Sequence, residues 1–289
     1  RLAEDGLAVA GEPKHIYEGW EFPKSWSTEC FCLESPKSTI RNGYYYLTVA
    51  EGGTAGPSTS HMVVSARSES PLGPFQNSPF NPVIHTSDRT EKWWSQGHGT
   101  LVDDIGGNWW IMYHGYERNF HTLGRQTLMM PVKWTGDDWF RIPEGIKSDN
   151  TLRAPEGKLS PDGTWLSDDF SGGKLGLQWQ FYRRYSPDRV SIEDSKLILE
   201  AEGGSFDDSS PLLVNSSDEN YEVKVEFTID DSVTAGLCLY YNETANVRIA
   251  ADKEIRQRQL VLGHFVIVSI FIHFFIATHP EFAGWNEAP

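Results

Sequence analysis

The stretch LESPKSTIRNGYYYLTVAEGGT, Leu33–Thr54, decides the architecture. Its centre, Tyr44 to Val49, is a run of aromatic, aliphatic and β-branched residues of the kind that pack on a pleated surface. Asn42-Gly43 precedes the run and Gly52-Gly53 follows it. An Asn-Gly pair readily supplies the two positive-φ positions of a tight hairpin, so the residues on either side of it are expected to pair as antiparallel strands. One acidic residue, Glu34, stands two places before Pro36 at the head of this unit. The residues alone leave two readings open. Neighbouring Trp and Tyr side chains could desolvate the carboxyl and raise its pKa toward that of a general acid, or Glu34 is a surface or ion-paired glutamate.

The same pattern extends outward. HMVVSARS (61–68), GTLVDD (99–104), NWWIMYHG (108–115) and TLMMPVKW (127–134) are short apolar runs separated by Gly, Pro, Asn and Asp, and between residues 40 and 140 no stretch sustains helical periodicity. From Arg141 to Thr164 the chain turns polar and rich in Gly, Pro and Lys, as a linker or edge wrap does. Beyond it, DDFSGGKLGLQWQFYRR (168–184), RVSIEDSKLILEAEG (189–203), YEVKVEFTID (221–230) and TAGLCLYY (234–241) alternate apolar and polar residues, which predicts strands of a two-sheet sandwich. The chain therefore reads as all-β, with a first domain over 1–150, a second over 151–254 and an unrelated apolar segment over 255–289.

That last segment contains LVLGHFVIVSIFIHFFIA, Leu260–Ala277, at the lower edge of a bilayer-spanning length. It reads as an aberrant end, as a membrane anchor, against which Gly263, His264 and His273 count, or as strands buried in a rearranged sandwich. The first reading is adopted, and a membrane is not expected as a partner. A net charge of -15 over 289 residues repels phosphate backbones and anionic lipid, so nucleic acid is excluded as a ligand class. Eleven tryptophans in glycine-punctuated polar surroundings favour carbohydrate, because flat aromatic faces stack on sugar rings as well as they fill cores. Cys30, Cys32 and Cys238 match neither a zinc pattern nor a disulfide framework and read as small buried hydrophobes. Sequons at Asn215 and Asn242 say little about compartment; no signal peptide is visible, and the compartment is left open with an extracellular or periplasmic location favoured.

Glu34-Ser35-Pro36, Gly43-Tyr44-Tyr45-Tyr46-Leu47, Ala50-Glu51-Gly52-Gly53-Thr54, the His61-Met62 strand leading to Ala66–Phe75, Asn81-Pro82-Val83, Gly97–Asp104, Asn108–Gly115 and Leu123–Trp134 follow one another in order. This series resembles glycoside hydrolase family 43, the five-bladed β-propeller β-xylosidases and α-L-arabinofuranosidases. Residues 164–250 resemble the jelly-roll sandwich that follows the propeller in many members. The resemblance implies a partial five-bladed β-propeller followed by a truncated jelly-roll (concanavalin-like) sandwich. It implies hydrolysis of terminal xylose or arabinofuranose from xylo- or arabino-oligosaccharides with inversion.

Residue by residue, the resemblance makes Glu34 the general acid. His98, in Gly-His-Gly, matches an axial histidine that helps organise the site and in some members lies by a calcium ion; no cofactor is required, and a structural calcium near His98 is the metal expected. Arg125, in Leu-Gly-Arg, matches an arginine that reaches the substrate. Read without the resemblance, His98 is a satisfied core histidine and Arg125 a surface ion pair. Glu51 reads as loop architecture. Two departures stand out. Ser35 replaces the glycine of the family's Glu-Gly-Pro, and Asp5 is the sole aspartate ahead of Glu34, so the family's base and pKa-tuning aspartates have no evident counterpart. The alternative reading is a non-catalytic carbohydrate-binding fragment.

Overall fold

The computed structural model describes residues 2–158, 166–182, 184–204, 208–216, 219, 221–230 and 232–240, and the backbone of 246–251 and 271–277. Strand β1 (Leu33–Arg41) turns through Asn42 (φ 48°) and Gly43 (φ 82°) into β2 (Tyr44–Glu51), with Arg41 opposite Tyr44. These are the two positive-φ positions that Asn-Gly was expected to supply. β2 pairs antiparallel with β3 (Met62–Ser68), on which the short β4 (Gln76–Asn77) and β5 (Ile84–His85) also pair. A second antiparallel meander follows in chain order: β6 (Trp93–Asp103), β7 (Trp109–Glu117), β8 (Arg125–Trp134) and β9 (Phe140–Arg141). Each meander is one blade of a β-propeller.

The blades share a core. Tyr46, Val63 and Ile84 of the first pack with Leu101, Ile111, Tyr113, Met130 and Phe140 of the second, all nearly inaccessible to solvent. Burying a side chain of this size contributes roughly 1.5–3 kcal/mol, so this layer dominates the stability of the unit. Polar ties lock one edge: the Tyr46 hydroxyl donates to the Asp138 carbonyl oxygen, Arg41 Nη1 lies 3.1 Å from Asp138 Oδ1, and Asn42 Nδ2 donates to the same oxygen at 2.7 Å. On the opposite face of the first blade, Leu47, Val49, Met62 and Val64 are covered by Tyr17, Trp20, Phe22, Trp26 and Phe75. The tryptophans that composition offered to carbohydrate thus largely fill cores: Trp109 and Trp134 pack against the inter-blade layer, Trp20 and Trp26 against the other face, and Trp110 and Trp139 are buried.

The chain divides into two compact units, one of Arg1–Arg118 with Arg125–Lys158, the other of Asn119–Gly124 with Leu159–Pro289. In the second unit β10 (Trp179–Phe181), β13 (Leu212–Val214), β14 (Thr234–Tyr240), β15 (Asn246–Ala251) and β16 (Phe271–Ala277) form one antiparallel sheet in the order β10-β13-β16-β14-β15, and β11 (Val190–Glu193) forms a hairpin with β12 (Lys196–Leu199). Arg189 gathers this unit's loops: its guanidinium donates to the Glu200 carbonyl at 2.7 Å and to the Ser210 carbonyl at 3.1 Å, and pairs with Glu202 at 2.8 Å.

Three expectations meet the structure differently. Cys30 and Cys32 form a disulfide, where the spacing had suggested unpaired buried thiols; the chain bends so that their Cα atoms lie 5.5 Å apart, a bend that residue types do not encode. Cys238 is buried as expected. Tyr221–Asp230 is not a strand, and its alternation of half-buried and exposed residues holds only as far as Glu226, because alternation specifies a face and not a hydrogen-bonding partner. Of residues 255–289 only the backbone of Phe271–Ala277 is described, and it lies between β13 and β14, with Leu213 opposite His273 and Cys238 opposite the same residue. The rest of that segment and the Asn242 sequon lie outside the described residues. Among the described residues no helix is long and apolar enough to cross a membrane.

Candidate active site

Glu34 pairs with Ala50 near the start of β1, and the register shifts between Glu34 and Lys37. The shift is centred on Ser35, which holds φ 52°. This is the left-handed region where glycine is favoured and where the resembling pattern carries glycine. Lys37 Nζ reaches back to Ser35 Oγ at 3.0 Å. Ser35→Gly is therefore expected to stabilise the fold by about 0.5–1 kcal/mol and Ser35→Val to destabilise it by about 1–2 kcal/mol, read as shifts in urea midpoint. The reverse order would mean that the bulge tolerates a β-carbon without strain.

The segment before Glu34 is fastened to the Gly52-Gly53 turn. Glu29 Oε2 accepts from the Ala55 and Gly56 N–H groups at 2.8 and 2.9 Å, and the Glu29 N–H donates to Ser60 Oγ at 2.7 Å. Gly52 N–H donates to the Cys32 carbonyl at 3.1 Å. The acid candidate thus leaves a tied and disulfide-linked loop, a rigid platform of the kind a proton donor requires. The enclosure by Trp and Tyr that the sequence suggested is not found: the Glu34 side chain is 54% exposed.

The buried carboxyl is Glu51. It is inaccessible to solvent, its Oε2 accepts the Trp20 N–H at 2.9 Å, and its Oε1 has no hydrogen-bond partner. It pins residues near Trp20 to the end of β2, as expected of loop architecture. Burial raises its pKa from 4.5 to about 7, against the lowering effect of the Trp20 N–H. The folded chain therefore holds this proton over a pH range in which the unfolded chain has released it. Stability contributed by Glu51 falls as pH rises between about 4.5 and 7, by roughly 3 kcal/mol, and is level above. Glu51→Gln keeps an acceptor for Trp20 and is expected to be more stable than the parent by about 2–3 kcal/mol at pH 8, with little difference at pH 4.5, in denaturant melts. A gain equal at both pH values would refute the assignment.

His98 lies on β6 within the second of two register shifts, the one between Gly97 and Thr100, with φ 65°. Bulges re-aim side chains, and this one turns His98 toward Glu34: His98 Nδ1 is 3.9 Å from Glu34 Oε1, beyond a hydrogen bond. Two histidines absent from the sequence-derived site join it. The His61 ring stacks on that of His114 with centroids 5.2 Å apart, and His98 lies 5.4 Å from His114 and 6.4 Å from His61. Arg125, at the start of β8, places Nη1 3.4 Å from His114 Nε2. Glu34, His98 and Arg125 are therefore linked in one cluster through His114. Burial lowers the pKa of all three histidines, that of His114 to about 3, where the other two histidines and Arg125 add to the effect. All three are neutral at physiological pH.

Gly97 explains the close approach. A β-carbon there would lie 2.0 Å from His61 Cδ2, so the first glycine of Gly-His-Gly makes room for His61. The sequence signal for His61 and His114 was present, since each falls within a motif segment and His114 is followed by Gly115, but nothing local shows that the residue leading into β3 meets β6 and β7 at one point. Asp5 is exposed, and its Oδ1 accepts the Leu7 N–H at 3.0 Å within its own turn.

Residues 1–140 match the model of glycosyl hydrolases family 43, and residues 167–264 match that of the β-xylosidase C-terminal Concanavalin A-like domain. The chain belongs to glycosyl hydrolase family 43. Among its relatives, this family 43 chain is 34% identical over 178 residues to the non-reducing end α-L-arabinofuranosidase BoGH43B of Bacteroides ovatus, a match covering 59% of this chain and 32% of that protein. It is 27% identical over 266 residues to the xylan 1,3-β-xylosidase of a Vibrio species, covering 83% and 47%. The crystal structure of the GH43 BlXynB protein from Bacillus licheniformis superposes with a TM-score of 0.74 at 30% identity, covering 86% of this chain and 49% of that one. The chain spans about half or less of the length of these relatives. Part of a β-propeller followed by part of a Concanavalin A-like sandwich is the architecture the sequence led us to expect, and it is the one observed.

Proposed function

We propose that this family 43 chain belongs to an inverting glycosidase that removes terminal xylose or arabinofuranose from plant-polysaccharide oligosaccharides, with Glu34 as general acid. One observation carries the reading: Glu34 projects from a tied bulge into a cluster that also holds His98 and Arg125. In this reaction Glu34 delivers its proton to the glycosidic oxygen as the bond to the anomeric carbon breaks. A carboxylate base draws a proton from water attacking the opposite face. Neutral His98 accepts or donates a hydrogen bond to a sugar hydroxyl, and the Arg125 fork holds further hydroxyls. The catalytic part of this reading is residues 1–150, with 151–254 as the accompanying sandwich and 255–289 outside both. The Cys30–Cys32 disulfide favours an oxidising compartment.

The second reading is a carbohydrate-binding fragment that does not cut; Asp5, whose Oδ1 accepts the Leu7 N–H in an exposed turn, is not placed as a base in this chain. The test is to incubate the chain with aryl β-D-xyloside and aryl α-L-arabinofuranoside, follow the first-formed anomer by NMR, and measure oligosaccharide binding by calorimetry. Turnover with inversion supports the first reading, and binding without turnover supports the second. Turnover with retention rejects the inverting mechanism, and neither turnover nor binding rejects both.

A further inference from the structure

We infer that the second unit carries its own weak binding site for a neutral sugar, built by the segment Arg184–Arg189 together with Glu202. That the sugar is a xylo- or arabino-oligosaccharide rests on the function proposed above; the site rests on its own geometry. A pocket of about 280 Å3 is lined by Arg184, Tyr185, Ser186, Asp188, Arg189 and Glu202. This is the small end of the range for ligand sites, roughly 300–1,000 Å3, and suits a short sugar better than a large cofactor. All six residues belong to the unit that does not contain Glu34.

Two neighbouring residues point to a ligand. The Tyr185 side chain is 78% exposed, and its ring packs against Phe181 with centroids 5.6 Å apart and planes at 85°. A ring fixed in this way offers a sugar a flat apolar surface for its C–H face at little entropic cost. A single exposed tyrosine is ordinary; Ser186 beside it is not. It is buried, and its hydroxyl has no hydrogen-bond partner among the described residues. Ser186 stands immediately before the helical turn Pro187–Arg189, where a serine commonly caps the first N–H groups, yet it makes no such bond. A buried hydroxyl without a partner is costly. Rotation about χ1 turns it to the pocket, where a ligand hydroxyl satisfies it as donor or acceptor.

The charges of the pocket select the ligand class. Two arginines and two carboxylates cancel. Arg189 is spent on the Glu200 and Ser210 carbonyls and on Glu202, whose Oε2 lies 2.8 Å from its Nη1. Arg184 places Nη1 3.6 Å from Glu202 Oε1, beyond a hydrogen bond, and its exposed guanidinium keeps donors for a ligand. Asp188 is exposed and supplies acceptors. An anion at this place meets two carboxylates and a cation meets two guanidinium groups. A polyhydroxylated neutral molecule uses donors and acceptors alike, and its hydroxyls form charge-assisted hydrogen bonds with both.

The experiment uses the whole chain carrying Glu34→Gln, which suppresses turnover, labelled with 15N and titrated with xylotriose, arabinotriose and, as the anionic comparison, trigalacturonate. The expected result is that a neutral trisaccharide shifts the amide signals of Arg184, Tyr185, Ser186 and Glu202 in the millimolar range, and that trigalacturonate binds there more weakly. Tyr185→Ala weakens this binding roughly tenfold, whereas Tyr185→Phe, which keeps the stacking face, binds like the parent. Ser186→Ala weakens it several-fold without lowering thermal stability, since its hydroxyl has no partner to lose. The inference is overturned if neither neutral sugar moves these signals, if trigalacturonate binds more tightly, or if the folded Tyr185→Ala chain binds like the parent. Its failure is distinguishable from that of the proposed function. Glycoside hydrolysis by the parent without Tyr185-dependent binding sinks this site alone, and Tyr185-dependent binding in a chain that neither hydrolyses glycosides nor shifts signals near Glu34 sinks only the propeller's role.

Discussion

Glu34→Gln is expected to lower kcat on xylobiose or an alkyl pentoside by roughly 100- to 10,000-fold, while KM stays near the parent value. Glutamine matches glutamate in shape and keeps the β1 bulge, but it has no proton to give when the glycosidic oxygen departs. The loss must depend on the leaving group. A nitrophenolate leaves without protonation, so the same variant loses far less on a nitrophenyl pentoside, and the parent-to-variant ratio should fall as leaving-group acidity rises. Equal losses across that series would show that Glu34 positions substrate and does not protonate it. No loss on any substrate would place the acid elsewhere.

Gly52→Ala is the second large effect, expected to cost roughly 3–5 kcal/mol in denaturant unfolding. Gly52 holds φ 75°, and a β-carbon there would lie 2.1 Å from the Ser60 carbonyl oxygen, a backbone atom that cannot swing aside. The residue is also a junction: its N–H donates to Cys32 O at 3.1 Å, and its own oxygen accepts from His61 Nδ1 at 2.6 Å. Gly43→Ala is the control, with φ 82° but nothing within 4 Å of the added atom, and should cost only about 1–2 kcal/mol for the left-handed backbone. The difference between the two variants measures the steric term. If they melt within about 1 kcal/mol of each other, the turn relaxes and the tie between the acid's loop and the histidine cluster is looser than drawn.

Much of this could be read along the chain because it is local. Asn42-Gly43 encodes a hairpin, the Tyr44–Val49 run encodes a strand, and the succession of such units with Gly-His-Gly and Leu-Gly-Arg between them carries the resemblance to family 43. The same local logic named Glu34, His98 and Arg125 and set Glu51 aside as architecture. Its failures share one cause. The Cys30–Cys32 bridge depends on a bend in an irregular segment, and the absence of a strand over Tyr221–Asp230 depends on a pairing partner. Most of all, the meeting of His61, His98 and His114 depends on the start of β3 in one blade converging with β6 and β7 in the other, with Gly97 leaving the space. Residue type and spacing specify which face a side chain takes and where the chain turns. Only packing specifies which nitrogen of which ring faces another across more than fifty residues, because that proximity comes from blade stacking and not from any local preference of the backbone.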